Sequence, residues 1–104
     1  MGSYAVYTTE TFDRLILKLP KEMIYAITKL FGQLRENPYV GDQLRYKHLR
    51  EKRLREKRLY YLVYDDIKAV LVVALSGKKN QKSTIEHIVK YCDEYRHYLQ
   101  DAVG

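Results

Sequence analysis

The sequence predicts an α+β domain: a small, antiparallel-dominated sheet with an N-terminal helical hairpin on one face and a C-terminal helix. Three observations predict it. Residues 9–19 and 21–34 carry apolar side chains at helical spacing. Residues 57–64 and 68–76 are β-rich runs separated by the turn signal Asp65-Asp66. Residues 83–99 return to a helical stripe. The expected order is β-α-α-β-β-β-α in one domain over residues 1–104, with no linker to divide it.

The elements follow in turn. Tyr4-Ala-Val-Tyr-Thr8 alternates and is rich in β-formers, so it opens the fold as a strand. Phe12, Leu15, Ile16 and Leu19 stripe a first helix, and Pro20 either ends it or opens the next. Met23, Ile24, Ile27, Leu30, Phe31 and Leu34 stripe a second, stopped by Asn37-Pro38. Ser83-Thr-Ile-Glu86 has the form of a capping box, with Ser83 as N-cap of the last helix. Ile85, Ile88, Val89, Cys92, Tyr95 and Leu99 form that helix's stripe.

Residues 49–59 read LREKRLREKRL, and their backbone is the main question. As a helix, Leu49, Leu54 and Leu59 would step by about 140° each time and share no face. As extended chain they form two strands, expected at 49–55 and 57–64, joined near Arg55-Glu56 by a tight turn or a bulge. Alternation then puts Leu59, Tyr61 and Val63 on one side of the middle strand. Arg58, Tyr60, Leu62 and Tyr64 take the other, and pattern leaves open which side meets the helices.

Charge sharpens the point. The net charge is +6, and residues 45–58 hold eight Lys/Arg against two Glu, so they carry the whole excess. So concentrated a patch fits a polyanionic partner; the blander reading is a solvated face. One cysteine, Cys92, excludes an intramolecular disulfide and suits a reducing cytoplasm. No signal peptide is expected, and the longest apolar run, Ala69 to Leu75, is far too short to span a membrane.

Taken in order, these segments resemble the RelE/ParE toxin superfamily, and the HigB-type branch most. The residues that carry the resemblance are Leu17-Lys-Leu-Pro-Lys21, the LRENP stretch closing the helical hairpin, the basic meander, and Leu75-Ser-Gly-Lys78-Lys79-Asn-Gln81-Lys82-Ser83-Thr84 leading into an amphipathic helix. The resemblance implies the toxin of a type II toxin–antitoxin pair, a ribosome-dependent messenger RNA endonuclease neutralised by a small antitoxin. It also implies an arginine in the middle strand, whose place falls on Lys57 or Arg58. Other relatives end with an arginine or histidine and then a tyrosine immediately past the last strand. This chain has Lys78 and Lys79 there, and its nearest later tyrosine is Tyr91.

Metal-free RNA cleavage must deprotonate the 2′-hydroxyl, protonate the leaving 5′-oxygen and stabilise charge on the phosphorane. Arg55 and Arg58 are the expected phosphate clamps, with Lys57 or Lys79 handling the proton. Arg45, Lys47, Lys52, Arg53, Lys78 and Lys82 would track the RNA backbone, as the catalytic lysines themselves would on a purely electrostatic reading. Tyr60, with Tyr46 and Tyr64, would stack on unpaired bases, while Tyr61, Tyr95 and Tyr25 fill the core. His48 is an alternative acid or base, as is His87 with Tyr91 one turn away; ordinary surface decoration is the rival reading for both. No metal or cofactor is expected, since the acidic residues are scattered and no Cys/His cluster exists. Two other functions fit the same resemblance: a ParE-like gyrase-binding toxin without nuclease activity, and a basic nucleic-acid-binding module that has lost catalysis.

Overall fold

Apolar residues on both sides of the central strands require a sheet covered twice, and the computed structural model has both covers. It describes residues 3–104; Met1 and Gly2, included in the expected domain, lie outside them. The chain runs β1 (Ala5–Thr8), α1 (Glu10–Ile16), α2 (Lys21–Glu36), β2 (Asp42–Gln43), β3 (Leu49–Leu54), β4 (Lys57–Tyr64), β5 (Ala69–Gly77), α3 (Gln81–Lys90) and α4 (Cys92–Val103). Short 3-10 turns fill Asp65–Ile67 and Lys78–Asn80.

The sheet order is β1-β5-β4-β3-β2, antiparallel except where β1 pairs with β5. Leu59, Tyr61 and Val63 of β4 pack with Val70 and Val72 against Phe12 of α1 and Met23, Ile27, Leu30 and Leu34 of α2. Tyr60 and Leu62 pack with Leu49, Leu71 and Val73 against Ile88 of α3 and Leu99 of α4. The question left open by alternation is thus resolved: the odd-numbered side of β4 meets the N-terminal hairpin. Thr9 caps α1 by accepting a hydrogen bond from the Phe12 N–H at 3.1 Å.

Three expectations need correction. The last helix begins at Gln81, two residues before the expected cap, and Ser83 lies inside it with its hydroxyl donating to the Asn80 carbonyl. That helix also breaks at Tyr91, whose backbone N–H closes α3 on the His87 carbonyl. The break lets Ile88 and Leu99 both reach full burial on one sheet face. Tyr25 is 69% exposed, because the stripe of α2 turns Met23 and Ile27 inward and leaves it on the solvent side. A two-residue strand, β2, was not anticipated; it is too short for alternation to show.

Candidate functional site

The doubled LREKR unit is a two-residue hairpin. Leu54 pairs with Lys57, leaving Arg55 and Glu56 as the turn. Arg55 has φ +58° and Glu56 does not enter the left-handed region, the signature of a type II′ turn, whose first central place glycine fills best. Because the pleat has period two, the cations divide between the faces. Glu51, Arg53 and Arg58 share a face with Leu49 and Tyr60; Lys52 and Lys57 share the other with Leu54 and Leu59.

On the face beneath α3, the polar groups converge. Arg53 and Arg58 stand directly opposite each other across β3 and β4, a like-charge pairing that opposes folding unless an anion answers it. Glu51, only 6% exposed, gives part of that answer: its Oε2 accepts from Arg58 Nη1 at 2.9 Å. Its Oε1 accepts from Gln81 Nε2, at the start of α3, at 3.2 Å. Arg53 is exposed and forms no ion pair among the described residues.

A β-bulge completes the floor. The β4–β5 register slips between Tyr60 and Tyr61, so Tyr60 faces Ala74 while Tyr61 faces Val72. The extra residue brings Ser76 opposite Arg58, where it pairs with the Tyr60 hydroxyl at 2.9 Å. Burial raises the Tyr60 pKa above its ordinary value, so the phenol remains a neutral hydrogen-bonding group. Beside this network, Leu44, Arg45, Gln81, Lys82 and Ile85 line a cavity of ≈ 340 Å³. Lys78 and Lys79 project from the turn that follows Gly77, itself paired with Lys57.

Three solved structures share this architecture. An arginine-to-alanine double mutant of the E. coli toxin RelE in the free state matches with a TM-score of 0.72 at 18% identity, over 85% of this chain and 97% of that one. The toxin–antitoxin complex RelBE2 from Mycobacterium tuberculosis matches at 0.64 and 29% identity, over 73% and 99%. The archaeal RelE–RelB complex from Pyrococcus horikoshii matches at 0.67 and 19%, over 73% and 96%. The chain has the RelE toxin fold. No family model matches it, and no curated protein matches it in sequence. All three neighbours are RelE proteins, free or bound to RelB; the HigB-type placement rests on sequence segments only.

Within this RelE fold the expected site residues do not all meet. Arg58, Arg53, Arg45 and Lys82 lie on or beside the network under α3. Arg55 and Lys57 instead line a cavity with Leu19, Pro20 and Met23, on the hairpin face. The catalytic set expected from Arg55, Lys57 and Arg58 is therefore not brought together, because adjacent residues on a strand face opposite ways. Tyr60 is fully buried, so its ring offers no stacking surface. Lys47 is exposed, its Nζ 5.7 Å from the Tyr39 ring centroid.

The histidines sit elsewhere. His48 lines an apolar cavity with Leu62, Tyr64, Cys92 and Arg96 at the far end of β3. Five residues separate it from Arg53, about 16 Å of extended chain. The His87 and Tyr91 rings pack at a tilt with centroids 4.7 Å apart, and His87 lines a third cavity over β5 and α1. Among the described residues, no group of three or more His, Cys, Asp or Glu is placed to hold a metal ion, and no helix is long and apolar enough to cross a membrane.

Glu51, Gln81 and Ser76 were missed from the sequence. Glu51 had a signal, since period-two alternation puts it on the same strand face as Arg53. Ser76 had none, because only the bulge brings it to that side.

Proposed function

We propose that this chain is the toxin of a type II toxin–antitoxin pair and that it cuts messenger RNA on the ribosome. The observation that carries the reading is the opposed pair Arg53 and Arg58 on one sheet face, with Arg58 bound to Glu51 by one nitrogen only and Arg53 in no ion pair among the described residues. A phosphodiester seated between them would complete the charge balance that Glu51 begins. In the reaction, the 2′-oxygen attacks phosphorus, the P–O5′ bond breaks, and a 2′,3′-cyclic phosphate and a 5′-hydroxyl result. The arginines stabilise the phosphorane. Lys79, on the turn past β5, is the candidate proton handler, with Lys78, Lys82 and Arg45 drawing in the RNA backbone. The RelE fold and the RelB-bound neighbours support a cognate antitoxin as protein partner, and the +6 net charge favours an acidic one.

Expression in bacterial cells, with transcript ends mapped, tests this reading. Growth arrest with new ends inside coding regions supports it, as does relief of both by Arg58→Ala. Arrest with intact transcripts would replace it with the gyrase-binding alternative, and unimpaired growth with the non-catalytic one.

A further inference from the structure

Tyrosine hydroxyls aside, the chain buries few polar side chains: Thr9, Glu51 and Ser76 among the described residues. Thr9 caps a helix, while Glu51 and Ser76 lie together under α3. A buried carboxylate is costly to desolvate, and a buried ion pair is commonly no more stabilising than apolar residues of the same shape. Stability therefore gives a weak account of Glu51. Geometry gives a better one. Arg58 spends one terminal nitrogen, Nη1, on Glu51. The planar fork fixes the remaining Nη2 and Nε donors in direction once that bond is made. The other carboxylate oxygen takes Gln81, so a single side chain ties β3, β4 and the first residue of α3 together.

We propose that Glu51 is a positioning residue: it holds the Arg58 guanidinium by one edge so that the free edge meets the scissile phosphate. The role rests on the nuclease reading above. Glu51 itself does not touch the RNA; it acts through Arg58 and keeps the α3 end registered to the sheet. The carboxylate also prevents Arg58 from swinging away from Arg53, its like-charged opposite.

The test is single-turnover cleavage of a messenger RNA on purified ribosomes, for the full chain and for Glu51→Ala, Glu51→Gln, Arg58→Ala and the Glu51→Ala/Arg58→Ala double variant. Glu51→Ala should lower the cleavage rate about 100-fold, the scale of a misplaced catalytic group, with half-saturating ribosome concentration changed less than about threefold. Glu51→Gln, which keeps an acceptor for Arg58, should recover to within about tenfold of the parent. On an Arg58→Ala background, Glu51→Ala should cost no more than about twofold further. Additive losses in that cycle, or a Glu51→Gln variant as slow as Glu51→Ala, would overturn the positioning role while leaving the nuclease standing. If Glu51→Ala does not fold, the Gln variant decides alone: recovery supports the role, a 100-fold loss overturns it. A parent chain that leaves the transcript intact overturns the nuclease reading and this role together.

Discussion

Replacing Gly41 by alanine probes how the site's foundation is built. Gly41 is buried just before β2, its N–H donating to the Tyr61 hydroxyl at 3.0 Å and its carbonyl accepting from Arg50 Nη1 at 2.9 Å. An added Cβ would lie 2.5 Å from the Glu51 carbonyl oxygen, 2.7 Å from the Tyr61 hydroxyl and 3.1 Å from the Glu51 carbonyl carbon. Two of those atoms belong to the β3 backbone, which cannot rotate aside. The loop must retreat, at an overpacking cost of about 1–3 kcal/mol. Loss of the bond to Tyr61, whose hydroxyl then lacks its donor, adds about 1 kcal/mol. A total near 3 kcal/mol lowers the melting temperature by about 12–20 °C for a domain of this size. Thermal unfolding followed by circular dichroism measures it. A Gly41→Ala variant melting within about 2 °C of the parent would refute the packing argument.

Gly32→Ala, in the interior of α2 where nothing lies within 4 Å of the new methyl, should do the opposite and stabilise by about 1 kcal/mol; a loss of stability on urea unfolding would contradict this. Arg55→Gly should gain about 0.5–1 kcal/mol, as the relief of φ +58° outweighs the extra freedom of the unfolded chain. A destabilised variant would show that the Arg55 side chain holds the turn. Asp65 accepts from the Tyr39 and Tyr4 hydroxyls at 2.5 and 2.7 Å, and those bonds, Tyr39's first, hold its carboxyl below the usual range. A depressed carboxyl pKa stabilises above the unfolded value of about 3.9 and ceases to as pH falls through the folded value. Tyr39→Phe should therefore cost about 1 kcal/mol at neutral pH, after allowance for exposure, and much less in acid. Equal losses at both pH values would contradict this assignment.

The fold was legible where patterns were long. The stripe of α2 and the run from Leu59 to Tyr64 each span enough residues to set both element and face. The rod was excluded by the five-residue leucine spacing, and the hairpin in its place turns at Arg55-Glu56. The site was legible only in part. Charge density drew attention to β3 and β4, but grouping Lys57 with Arg58 ignored the pleat, which sends Arg58 under α3 and Lys57 toward the helical hairpin. Tyr60 looked like a stacking platform because its neighbours are basic; its burial depends on α3 and α4 folding back over the sheet, a long-range event. Ser76 needed the bulge, which leaves no mark in a continuous apolar run.

The central claim is that Arg53 and Arg58 form the working face and Lys57 does not. Ribosome-dependent cleavage rates for Arg58→Ala, Arg53→Ala and Lys57→Ala, measured side by side on folded protein, test it most directly. The account predicts losses of about 100-fold or more for Arg58→Ala, a smaller loss for Arg53→Ala, and a Lys57→Ala rate within about threefold of the parent. A silent Arg58→Ala beside an inactive Lys57→Ala would contradict it, and would move the reaction to the opposite side of the sheet.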